Sequence, residues 1–373
     1  MQQANVNEPL FNELIKLRDE SARLLGYKTH AEFRISQKMA KTPERVFGLL
    51  NDVRTKLADR AKEEVAHLLE YKKKDCEERG APFDGNFYSW DTPFYSNVMK
   101  IKEYSVDEIA VSQYFPIEST FKGLLKIFEE ILGFAFHELT PEERTKLSAT
   151  GKGEDIAWHE DALIYSVFDD EAAGSGFRGY LYLDFHPRDG KYTHNACFDV
   201  YSRYIKPDGS TSYTSTALVC NFSKPTATKP ALLKHQEVVT LFHELGHGIH
   251  QLSGNTRNVY LQGTSTAWDF VEAPSQMLEN WCWTPSVLQS LSKHWQTGEK
   301  IPDDLLNKLM GTKHMNRAIA ALYQVQIGTF DMTVHSPESP EAAKNINAGH
   351  LWNQIRRDIM VGIKGPEDIG LGK

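Results

Sequence analysis

No stretch constrains this chain more than Leu241-Phe242-His243-Glu244-Leu245-Gly246-His247. Two histidines four residues apart lie one above the other on a helix face, ~6 Å apart along the axis at ~1.5 Å per residue, so both rings can converge on one ion. Glu244 sits ~100° round the helix from His243, close enough to touch a water on that ion without being a ligand. The surrounding helix is predicted over residues 230–252, with Pro230 at its start, Val238, Val239, Leu241, Phe242, Leu245 and Ile249 along its centre, and Ser253-Gly254 at its end. Such a helix is buried. Imidazoles and a carboxylate inside it are costly unless they find partners, and a metal supplies them. The plainer alternative is a pair of core histidines bonded to backbone carbonyls, with Glu244 turned to solvent. Chance alone would place an HExxH pentapeptide in a chain like this roughly three times in a hundred, so the motif needs support from its surroundings. Gly246, which costs ~1 kcal/mol relative to Ala inside a helix, points to something passing close to the backbone there, a tight helix crossing included.

A third ligand is required for a stable site. His250 lies ~10.5 Å along the axis from His243, too far for all three rings to share one ion at ~2 Å bonds. The metzincin pattern asks for Gly at 250 and His at 253, where this chain has His250 and Ser253, so that class is excluded. Acidic candidates stand on the next predicted helical segment, residues 266–283: Asp269, Glu272 and Glu279. Spacing alone does not choose among them.

Composition bounds the remaining options. With 40% hydrophobic and 25% charged residues in 373, the chain has the balance of a soluble globular protein. Its net charge of -8 and the absence of a basic block argue against a nucleic-acid partner. The run Lys72-Lys73-Lys74 is followed at once by Asp75, Glu77 and Glu78, the mark of a solvated helix face. Four cysteines, at 76, 197, 220 and 282, contain no CxxC pair, which argues for a reducing compartment and against a thiolate metal site. No stretch of ~18 apolar residues offers a membrane span, and a cytoplasmic location is expected.

Along the chain, helical periodicity covers residues 9–27, a long stretch from Thr42-Pro43-Glu44 to Gly80, and residues 121–132. Between residues 160 and 222 the period changes to short aromatic and β-branched runs separated by turn clusters, which predicts one small, antiparallel-rich sheet. Helices return from Pro230, with further ones over 302–336 and 341–360. The expected fold class is mainly α-helical (α+β). A helical lobe is expected over residues 1–150 and a catalytic region over 151–373, with the sheet next to the HExxH helix.

The string Phe242-His243-Glu244-Leu245-Gly246-His247-Gly248, followed by Asp269-Phe270-Val271-Glu272-Ala273-Pro274-Ser275-Gln276-Met277-Leu278-Glu279-Asn280-Trp281, resembles the active-site signature of the thimet oligopeptidase, neurolysin and saccharolysin family of zinc peptidases. Leu24-Leu25-Gly26-Tyr27, Lys38-Met39-Ala40-Lys41-Thr42, Trp90-Asp91 and Tyr182-Leu183-Asp184 with Gly190-Lys191-Tyr192-Thr193-His194 extend the likeness over most of the chain. The resemblance implies a neurolysin-like zincin fold. It implies one zinc ion per chain on His243, His247 and Glu272, with Glu244 as general base, and hydrolysis of short peptides admitted to a channel between helical lobes. It also implies that the segment 190–198 edges the substrate groove, with Asn195 standing where the family carries a small residue. Asp269, one turn before Glu272, is then either an orienting residue or an ordinary solvated or helix-starting one.

Family members are longer at both ends. The expectation from the sequence is a truncated chain lacking the later glycine- and tyrosine-rich loop whose side chains bind the developing oxyanion. Slow turnover, and self-association through uncovered apolar faces, are expected of such a chain, and a monomer of a complete one. The rival reading is a catalytically silent helical zinc-binding scaffold that holds peptides or a protein partner.

Overall fold

A computed structural model describes residues 4–172 and 174–365. The chain divides into two compact units, one formed by Met1–Ser105 with His314–Lys373 and the other by Val106–Lys313. Both are built from helices around apolar cores; a five-stranded sheet lies in the second, and each also has a two-stranded pairing, Phe87–Tyr88 with Ile363–Lys364 in the first and Tyr204–Ile205 with Thr211–Ser212 in the second. Among the described residues no helix is long and apolar enough to cross a membrane.

The first unit is organised by the helix Pro43–Arg79, which starts as predicted with Thr42 before Pro43 and Glu44 in the first turn. Its Ala61, Val65 and Leu68 meet Ile319, Leu322 and Val325 of the helix Arg317–Val334 and Ile355 and Ile359 of Ala348–Ile359. Buried Glu64 accepts from the backbone N–H of Ile319 at 3.0 Å and of Ala318 at 3.4 Å, which satisfies the start of that helix from outside. The single helical span expected over 302–336 is divided. Asn316 takes a left-handed conformation, φ 53°, and separates Asp303–Gly311 and the turn Thr312–His314 from Arg317–Val334.

In the second unit a five-stranded sheet runs in the order Phe134–Glu138, Leu163–Asp169, Phe177–Asp184, Thr214–Val219, Ala196–Tyr201. Three pairings are antiparallel and one, Phe177–Asp184 with Thr214–Val219, is parallel. The sheet is antiparallel-rich, but two features escaped the sequence. Phe134–Glu138 lies before the expected limits, and Ala196–Tyr201 is displaced to the outer edge when Thr214–Val219 takes the place beside Phe177–Asp184.

The HExxH-bearing helix spans His235–Leu252, five residues shorter at its start than the expected 230–252. The reason lies in the backbone of the preceding residues. Leu233 donates to Phe115 O at 2.9 Å, and Ala231 O accepts from Ile117 N–H at 3.0 Å, so this stretch is held extended against residues 115–117. Glu237 then closes the helix start by accepting from the Lys234 N–H at 2.7 Å. Val238, Leu241, Phe242, Leu245 and Ile249 are buried against the sheet and its neighbours. The next segment, expected helical over 266–283, is an α-helix only over Ala273–Glu279, continued by a 3-10 turn Asn280–Trp283. Pro274 stands in its first turn, where the N–H it lacks would have no helical partner, which suits it to a helix start.

Candidate metal centre

His243 and His247 project from successive turns of the His235–Leu252 helix, their ring centroids 5.0 Å apart and their planes 82° from parallel. Glu272 immediately precedes the helix Ala273–Glu279 and meets them: its Oε2 lies 3.3 Å from His243 Nε2 and 3.2 Å from His247 Nε2. Three ligand atoms at ~2.0–2.1 Å from a tetrahedral ion are ~3.3 Å from one another, so both separations match the edges of such a site. Two imidazoles and one carboxylate are also the donor set that suits zinc. Among the described residues these three form the group of His, Cys, Asp and Glu side chains compact enough to hold a metal.

The group is reachable from solvent. The Glu272 side chain is 50% exposed, whereas that of His247 is 10%, so water or a substrate can approach from the Glu272 side. Burial lowers the His247 pKa against the opposing pull of Glu272, which keeps the ring neutral and a lone pair available.

Glu279 holds His243 from behind. Its Oε1 lies 2.8 Å from His243 Nδ1, so that nitrogen carries the proton and Nε2 is left as the donor atom facing Glu272. Spacing named Glu279 as a ligand candidate, but not this role. The usable sign was its position two turns after Glu272, which aligns both carboxylates on one side of the chain. Asp269 is exposed and lies outside the three-residue group, as does His250, whose ring faces Phe270 with centroids 6.4 Å apart. Glu279→Ala is expected to weaken zinc binding by ~10–100-fold, measured by competition with a chelator; unchanged affinity would show that the ring needs no such support.

Gly246 explains how the elements carrying the histidines and Glu272 come this close. A Cβ there would lie 2.9 Å from Ser275 Cα and 3.1 Å from Leu278 Cδ1, so a side chain would push the Glu272 element away from the histidines. Ser275, fully buried at that crossing, donates to Glu272 Oε2 at 2.9 Å.

Glu244 is 8% exposed on the same helix, outside the three-donor group. Burial raises its pKa, opposed by His243 and by a hydrogen bond from the Cys197 backbone. Cys197 belongs to the edge strand Ala196–Tyr201, so the carboxylate stands beside the sheet edge. Asn195, just before that strand, turns its side chain into the fold and accepts from the Asn221 N–H at 2.7 Å. Asn221 in turn donates to the carbonyls of Tyr192 at 2.9 Å and His194 at 2.7 Å, which fixes the loop leading into the edge.

A model of peptidase family M3 matches residues 1–368. The chain is 43% identical over 355 residues to saccharolysin of Saccharomyces cerevisiae, an alignment that covers 95% of this chain and 48% of that protein. It is 37% identical over 358 residues to a thimet-like oligopeptidase of Dictyostelium discoideum, covering 95% and 51%, and 33% identical over 341 residues to oligopeptidase A of Escherichia coli, covering 91% and 47%. It spans about half the length of the curated relatives it matches.

Proposed function

The chain belongs to peptidase family M3, and from that premise we propose that it is a zinc-dependent metalloendopeptidase acting on short peptides. The observation that carries this reading is the position of Glu272 Oε2, 3.3 and 3.2 Å from the two Nε2 atoms. His243, His247 and Glu272 would hold the ion. Zinc held there supplies the Lewis acidity that makes water a nucleophile near neutral pH. Glu244, which belongs to the same helix but not to the donor group, takes the proton of the attacking water on its carboxylate and returns it to the departing amine nitrogen. Glu279 and Ser275 fix the donor atoms of His243 and Glu272.

The edge strand Ala196–Tyr201 gives the substrate a place to lie. One of its sides pairs with Thr214–Val219, and the other carries no strand among the described residues. An extended peptide added there gains backbone hydrogen bonds next to Glu244 without any demand on its sequence. The free thiols of Cys76, Cys197, Cys220 and Cys282 support a reducing, cytoplasmic setting for this activity.

The test is cleavage of a quenched fluorescent peptide by purified protein of known zinc content. Cleavage is expected to stop when a chelator removes the metal and to return when zinc is added back. Stoichiometric zinc with no metal-dependent cleavage would replace this reading by that of a silent scaffold.

A further inference from the structure

Between the His235–Leu252 helix and Glu272 the chain passes through a connector with no regular element longer than the turns Val259–Leu261 and Gly263–Ser265. Tyr260, Leu261, Trp268 and Phe270 on it are exposed, so apolar packing does little to hold it. A ligand at its end must nevertheless be kept within ~0.5 Å of its working position. We propose that Gln251, on the last turn of the helix that carries His243 and His247, is a positioning residue for the metal centre, because its buried side-chain amide ties this connector to that helix. The inference rests on the metal-binding reading above.

Gln251 is fully buried. Its Oε1 accepts from the Thr264 N–H at 3.2 Å, and its Nε2 donates to Ser202 Oγ at 3.2 Å, just beyond the edge strand Ala196–Tyr201. A backbone N–H only donates, which fixes the oxygen toward Thr264 and the amino group toward Ser202. The neighbour of Thr264 is shaped to the same contact. Gly263 has φ +53°, and a Cβ on it would fall 1.6 Å from Gln251 Oε1. The amide therefore occupies space that any other residue at 263 would need. Gln262, also fully buried, reaches Thr214 Oγ1 at 3.5 Å and binds the connector to the sheet.

The connector is thus fastened to one helix at two places, by Gln251 through Thr264 midway along it and by the Gly246 and Ser275 contact just beyond Glu272. Loss of the Gln251 fastening leaves the partly buried Thr264 N–H without its acceptor, and the backbone must move to find another. Glu272 moves with it, while His243 and His247 stay on the helix.

Two variants attack the contact from opposite sides. Gln251→Met keeps length and volume but removes the amide, and Gly263→Ala places a methyl group where Oε1 sits. Zinc affinity by chelator competition, and the visible spectrum of the cobalt-substituted protein, report the donor geometry without any peptide. Both variants are expected to bind zinc ~10–100-fold more weakly and to shift the cobalt bands, with native far-ultraviolet circular dichroism. Wild-type affinity and cobalt spectrum in both, even with a lowered melting temperature, would overturn the proposal and leave Gln251 a role in stability. A raised KM for peptide with unchanged metal binding would also overturn it, placing the amide in support of the sheet edge. Should Gln251→Met not fold, Gly263→Ala decides. Failure of the wild-type protein itself to bind zinc would sink the metal reading, and the proposal with it, before any variant is compared.

Discussion

Replacing Glu244 by Gln should reduce peptide cleavage by ~100–10,000-fold while leaving zinc content as in the wild type. Gln keeps the size of Glu and the capacity to accept a hydrogen bond from the Cys197 backbone, but its amide cannot take a proton from water. The metal is unaffected because Glu244 lies outside the group formed by His243, His247 and Glu272. The pair of measurements is total zinc per chain and initial rate on a quenched fluorescent peptide. A variant that retained more than a third of the wild-type rate would show that another group accepts the proton. Loss of zinc together with rate would show that Glu244 helps to hold the ion.

A second large effect is expected outside the group formed by His243, His247 and Glu272. Asp184 ends the strand Phe177–Asp184 with its side chain fully buried. It receives 2.8 Å hydrogen bonds from Trp158 Nε1, from both terminal nitrogens of Arg188 and from Lys191 Nζ. Lys191, itself almost fully buried, is further bonded to the carbonyls of Asp184 and His186. Burial alone would push the Asp184 carboxyl up, but the bonds from Arg188, Lys191 and Trp158 outweigh it and hold the group well below the usual carboxylate range. Asp184→Asn removes the one negative charge these two cations share and should cost ~3–5 kcal/mol, read as a lower midpoint in urea. The sign of the pH dependence follows. A carboxyl whose folded pKa is depressed contributes its stability above the unfolded value of ~3.9 and loses it as pH falls from there toward the folded value. The wild type should therefore lose stability on acidification from ~pH 5 downward, and the Asn variant should be weaker at neutral pH with a flatter acid limb. A variant within ~1 kcal/mol of wild type at pH 7 would mean that solvent satisfies Arg188 and Lys191 without Asp184.

Much of this structure is legible in one dimension. The period of three and four residues around Val238, Leu241, Phe242, Leu245 and Ile249 identifies a buried helix because only that spacing puts five apolar side chains on one face. Thr42, Pro43 and Glu44 mark a helix start for reasons local to those residues. Other features answer to distant partners. The helix starts at His235, not at Pro230, because residues 231–233 are held extended against residues 115–117. The order of strands could not be read either, since the parallel pairing of Phe177–Asp184 with Thr214–Val219 depends on a crossover and leaves no trace in alternation.

The site divides in the same way. Sequence by itself determined that His243 and His247 share a helix face and that Glu244 stands beside them, because helical geometry fixes the relation of residues four and one apart. It also marked Gly246 as a point of close approach. Spacing left Asp269, Glu272 and Glu279 open and the family resemblance implied Glu272; which of the three lies against the rings depends on tertiary contacts. Glu272 Oε2 meets both Nε2 atoms and Glu279 takes the far side of His243, while Asp269 stays exposed. The physical reason is that the connector between the histidine helix and Glu272 has no period of its own. Its path is set by contacts such as Gln251 with Thr264 and Gly246 with Ser275, which join residues no local rule relates.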